Sequence, residues 1–235
     1  MNLGEGYNMT SCLERKQFRK LPYILKRPVG SSGKCPAFIF LHGAGTRGTD
    51  LGALEQNCFF GVNSCVSDPE FSFLVFAPLC IRDSWFDIFE QLQDFVVMVA
   101  SCPEVDPDRI CLMGTSMGGY AAWQLAMTMP EYFAALVPIC GGGMQWNVGR
   151  LIHIPVWAFH GLEDTTVPVD SGIAMVNRLN QLGGNARLTI LEHTGHNSWE
   201  YAYAHEELFQ WILRQGKNNS PKIMENEFVD SVRYG

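Results

Sequence analysis

Short, continuous apolar runs alternate along the chain with stretches whose apolar residues recur every three or four positions. The runs at residues 37–41, 71–77, 109–113, 133–139 and 155–159 have the length and composition of strands buried on both faces. Residues 21–27 alternate loosely before Pro28, and 187–191 reads as a last strand. Between these, residues 85–100 carry Phe86, Phe89, Leu92, Phe95, Val96 and Val99 on one helical stripe. Residues 171–182 repeat the pattern with Ile173, Met175, Val176, Leu179 and Leu182, then stop at Gly183-Gly184. A final helix over residues 200–215 buries Tyr201, Leu208, Phe209, Trp211 and Ile212 and ends at Gly216. Strands alternating with helices predict an α/β chain, a mostly parallel sheet with helices on both faces.

Only fifteen residues separate the strand ending at Ile139 from the one opening at Pro155, too few for an inserted lid domain. The pattern therefore predicts one domain over residues 21–216, an N-terminal arm over 1–20 and a polar tail over 217–235.

Within this pattern, Gly114-Thr115-Ser116-Met117-Gly118-Gly119-Tyr120 sits between a strand and a helix. A serine there takes a cramped turn that lifts its hydroxyl clear of the sheet, and the flanking glycines let strand and helix approach it. Because the helix begins at once, the Met117 amide points out of a helix N-terminus, where a developing oxyanion is favoured.

A serine hydroxyl needs a base, usually histidine, held by a carboxylate on its other nitrogen. Asp164 lies in His160-Gly161-Leu162-Glu163-Asp164, after the strand at 155–159, and His196 in Thr194-Gly195-His196-Asn197, after the strand at 187–191. Nucleophile, acid and base thus follow three separate strands in the order Ser116, Asp164, His196. His193 is the rival base, and Glu163 and Asp170 are rival acids, although Asp170 also suits a helix N-cap. His42 and His160 each precede glycine at a strand end and read as supports for their loops.

These stretches, with His42-Gly43-Ala44-Gly45, resemble the α/β-hydrolase superfamily over residues 21–215. The similarity is to its phospholipase/carboxylesterase-like, dienelactone-hydrolase-like and prolyl-oligopeptidase-like branch. It implies the α/β-hydrolase fold, Ser116 as nucleophile, His196 as base, Asp164 as orienting acid, and the amides of Ala44 and Met117 as oxyanion hole. Dienelactone hydrolases proper place cysteine where this chain has Ser116. The expected activity is a serine esterase cleaving short acyl esters or esters displayed on carbohydrate. A peptidase, a thioesterase or a binding protein on the same scaffold stays open at this point.

Trp85, Trp146 and Trp199 fall in loops on the same edge as Ser116 and are candidates for the substrate pocket, whereas Trp123, Trp157 and Trp211 belong to the core. Arg47 could meet an anionic group of the substrate. Composition narrows the partners further. With 47% apolar and 17% charged residues and a net charge of −7, the chain fits a packed globular protein. Nucleic acid and anionic membranes are not expected partners, since no basic run accompanies the acidic balance. The first twenty residues hold charges without an apolar core, so neither secretory leader nor membrane span is expected, and the cytoplasm is the default compartment. Eight cysteines form no C-x-x-C pair, which argues against zinc and for free thiols, with disulfides open if a leader was trimmed. No metal or cofactor is implied.

Overall fold

In the computed structural model, which describes residues 13–30, 33–218 and 225–230, the apolar runs pair into one sheet. Its strands are β1 (Leu13–Phe18), β2 (Leu21–Lys26), β3 (Cys35–Leu41), β4 (Leu74–Pro78), β5 (Val105–Thr115), β6 (Ala135–Ile139), β7 (Val156–Gly161), β8 (Ala186–Glu192) and β9 (Glu227–Asp230). Their order across the sheet is β1-β2-β4-β3-β5-β6-β7-β8-β9. β2 runs antiparallel to both β1 and β4, and every other pairing is parallel.

Alternate side chains of the central strands feed two cores. In β3, Ala37, Ile39 and Leu41 pack on one face with α2 (Phe89–Ala100), α3 (Met117–Thr128) and α4 (Asp170–Gln181), through Phe95, Trp123 and Met175. Phe38 and Phe40 point the other way, where α5 (Trp199–Ala204) and α6 (Glu206–Leu213) contribute Tyr203, Phe209 and Trp211. The Phe40 and Phe59 rings stack there with centroids 3.8 Å apart. Burial on both faces is what a continuous apolar strand requires, so the runs dictate a three-layer α/β arrangement.

Four segments depart from the sequence reading. Residues 13–18, expected in an arm, form β1; its Glu14, Arg15 and Lys16 are exposed or half-buried, so no apolar face announces the strand. Residues 227–230, expected in a polar tail, form β9 beside β8. The loop after β3 contains a short helix, α1 (Leu51–Glu55), capped by Asp50, whose side chain accepts from the Gly52 amide, and two further 3-10 turns follow it. The C-terminal helix breaks at His205, whose backbone is extended (φ −85°, ψ 95°) and whose ring stacks on Tyr201 and meets Trp157 edge-on. The β6 to β7 connection carries only a 3-10 stretch, Gln145–Leu151.

Candidate active site

β5 ends at Thr115 and α3 begins at Met117, so Ser116 alone makes the turn between them. Its φ of 56° and ψ of −116° lie in a region that a residue with a side chain rarely adopts, a strain of about 1–3 kcal/mol. Neighbouring bonds hold it there. The Ser116 amide donates to the Ile139 carbonyl at 2.9 Å, and the Thr115 and Tyr203 hydroxyls lie 2.5 Å apart. Gly114 lets the helix close down: a Cβ at that position would sit 2.0 Å from the Gly118 carbonyl oxygen.

The Ser116 Oγ lies 2.8 Å from His196 Nε2, and His196 Nδ1 lies 2.7 Å from Asp164 Oδ2. A carboxylate only accepts, so Nδ1 carries the proton and Nε2 is left to receive one from the hydroxyl. Asp164 Oδ1 accepts from the Thr166 and Val167 amides, each at 2.9 Å. Burial pushes the Asp164 carboxyl up, but the His196 bond and these amides outweigh it and hold the pKa below its ordinary value. The buried group is thus an anion facing an imidazole.

His160 reaches the same carboxylate from β7. Its Nε2 donates to the Val167 carbonyl at 2.8 Å and lies 3.4 Å from Asp164 Oδ2. Burial lowers the His160 pKa, so the ring is neutral and braces the acid's loop. On the other side of Ser116, His42 Nδ1–H donates to the Gly43 carbonyl at 2.7 Å while its Nε2 accepts from the Cys80 amide at 3.0 Å. Burial lowers this pKa to about 4, and the two hydrogen bonds fix that tautomer. In a trans peptide the N–H points opposite the C=O, so holding the Gly43 carbonyl sets the direction of the Ala44 amide. Ala44 and Met117 each open a helical turn, where the first amides have no intrahelical acceptor. Gly43 packs against Ser116: a Cβ there would be 3.5 Å from the serine Cβ.

The rival groups lie elsewhere. His193 is 63% exposed on its side chain and pairs with Glu163 at 3.5 Å. Asp170 is the first residue of α4 rather than its cap. Among the three tryptophans, Trp85 is fully buried and donates through Nε1 to the His42 carbonyl at 3.0 Å, so it braces the loop and lines no open surface. Trp146 is 81% exposed on the 3-10 stretch. Trp199 meets the His196 ring edge-on with centroids 5.4 Å apart. Arg47 bonds the Asp83 carbonyl at 3.2 Å.

One neighbour escaped sequence reasoning. Cys140 follows β6 with a left-handed backbone (φ 40°), and burial raises its thiol to about 12. Among the described residues, Cys140, Asp164 and His196 form one group whose ligand atoms lie within 4.8 Å of one another. A cation there would have to displace the proton shared by Asp164 and His196. Nothing in the chain pattern marked this cysteine apart from its place at a strand end.

A model described as the dienelactone hydrolase family matches residues 81–204, more than half of the chain. The chain is similar to the probable feruloyl esterase C of Aspergillus terreus (strain NIH 2624 / FGSC A1156), with 29% identity over 171 residues, 69% of this chain and 62% of that protein. It also resembles the solved structure of a thermostable esterase, with a TM-score of 0.74 and 30% identity over 88% of this chain and 64% of that one. The chain thus spans less than two thirds of the length of either. Est1E from Butyrivibrio proteoclasticus superposes with a TM-score of 0.61 over 86% of this chain and 96% of that one; at 15% identity this likeness speaks for the fold.

Proposed function

The chain belongs to the dienelactone hydrolase family, and from that premise we propose that it is a serine esterase acting on small or carbohydrate-linked carboxylic esters. The observation that carries this reading is the continuous relay Ser116 Oγ, His196 Nε2, His196 Nδ1, Asp164 Oδ2. Ser116 Oγ attacks the ester carbonyl carbon as its proton passes to His196 Nε2. The oxygen that gains charge is received by the amides of Ala44 and Met117. On collapse the bond to the alcohol oxygen breaks, and that oxygen takes the proton from His196. Water then attacks the acyl-enzyme, gives its proton to His196, and releases the acid while Ser116 recovers its hydrogen. Asp164, kept ionised, stabilises the imidazolium in both halves.

A serine at the turn favours oxygen-ester chemistry of the kind named in the feruloyl esterase and thermostable esterase relatives. The reading places the protein in the cytoplasm, supported by seven free cysteines among the described residues. No helix of the described residues is long and apolar enough to cross a membrane.

The test is turnover of p-nitrophenyl acetate. Ser116→Ala should lower kcat by about a thousandfold or more, and a fluorophosphonate should label wild type but not the variant. Labelling that survives the substitution would refute the assignment.

A further inference from the structure

Beside the His196 loop opens a cavity of about 950 Å³, lined on one side by residues of the 58–64 turns and on the other by residues between Leu191 and His205. Its size is at the upper end of small-molecule sites, which run to about 1,000 Å³. The serine relay does not occupy it: neither Ser116 nor His196 lines it.

Its chemistry is specific. Asn63, Asn197 and Glu200 line it, and their side chains make no hydrogen bond or ion pair to another described residue. The half-buried Tyr201 adds an aromatic wall, its ring backed by His205 with centroids 4.9 Å apart. No lysine or arginine lines the cavity, and Glu200 leaves a carboxylate there, so anionic ligands are disfavoured. An alkyl chain would leave both amides facing apolar surface. Amide donors and acceptors, a carboxylate and an aromatic face together match a neutral sugar, which offers hydroxyls at its rim and C–H groups on its faces.

Position says which part of a substrate would reach it. Asn197 directly follows His196, and Trp199, beside Glu200, abuts the imidazole. The leaving oxygen takes its proton from His196, so the alcohol departs along this loop. We propose that the cavity is a binding subsite for the carbohydrate alcohol of the ester, an inference that rests on the esterase reading of Ser116.

The test uses xylotriose and cellotriose as neutral probes, trigalacturonate as an anionic one, and a monoacetylated xylotriose as substrate. Calorimetric titration of the full chain should give saturable binding of a neutral trisaccharide and none of trigalacturonate. The Asn63→Ala/Glu200→Gln double variant and the cavity-filling Ala204→Trp should each weaken that binding at least tenfold. Each should also lower kcat/KM on acetylated xylotriose about tenfold relative to p-nitrophenyl acetate, with circular dichroism reporting the fold. The subsite is overturned if neither neutral trisaccharide binds wild type, or if the two variants bind as wild type does and the substrate ratio stays put. Failure of the parent reading looks different: wild type would then turn over neither ester, whatever the sugars do.

Discussion

Asp164 illustrates how much of a buried carboxylate's behaviour belongs to its neighbours. Its carboxylate is held by two amides and His196, with the His160 N–H 3.4 Å away. Replacing that ring by His160→Phe leaves the Val167 carbonyl without its donor and the carboxylate less well supported, a loss of about 1–3 kcal/mol. The imidazolium formed on His196 during turnover would then face a less firmly held carboxylate, so kcat should fall about tenfold with little change in KM, and His160→Gln should restore part of it. A kcat that stays in place while only the melting temperature drops would mean that His160 merely fills space. Trp85→Phe tests the opposite side of the site. It removes the donor to the His42 carbonyl, and kcat should fall about tenfold with little change in KM, because the loop proposed to receive the oxyanion then loses an anchor rather than a substrate contact. That Ser116, Asp164 and His196 meet at one edge could be read from the chain, because each follows a strand and stands in a short, glycine-marked turn. The place of Trp85 could not, since periodicity does not distinguish an aromatic ring that plugs a loop from one that rims a pocket.

The strands and helices show the same division. Strands β3, β4, β6 and β7 and the second half of β5 were legible because both their faces are buried, so a nearly unbroken apolar run is their only workable composition. Strand β9 was hidden because it is held by polar links. The Trp157 indole donates to Thr189 Oγ1 at 2.9 Å, that hydroxyl donates to Glu227 Oε1 at 2.6 Å, and Arg187 pairs with the same carboxylate while lying over the Trp157 ring. Thr189→Val cuts this chain in the middle. It should destabilise the fold by about 1–3 kcal/mol, since it orphans a buried indole N–H, and a urea melt would measure the loss. An unchanged midpoint would show that this chain of polar links adds nothing to the stability of the fold. The break between α5 and α6 was hidden for a related reason: apolar residues continue at helical spacing through His205, and only the ring's tertiary packing reveals the interruption.

Three buried or half-buried histidines, His42, His160 and His205, have pKa values pushed down by burial, that of His42 to about 4. Unfolding releases each to its ordinary value of 6.5, so below that pH the unfolded chain binds protons that the folded one refuses. Stability from this source is complete above pH 6.5 and declines as the pH falls toward each folded value. Each such group raises the unfolding constant about tenfold per pH unit inside its window. The urea midpoint should therefore fall steadily from pH 6.5 to 4.5, and a flat midpoint over that span would contradict the buried neutral rings. The outermost strands among the described residues bear on a separate hazard. At one margin Glu14, Arg15 and Lys16 crowd β1, with Arg15 clamped to Glu55, and at the other Glu227 and Asp230 flank Phe228. A foreign strand adding to either margin would have to dehydrate several ions before its first backbone bond formed, a built-in resistance to fibril growth in concentrated preparations.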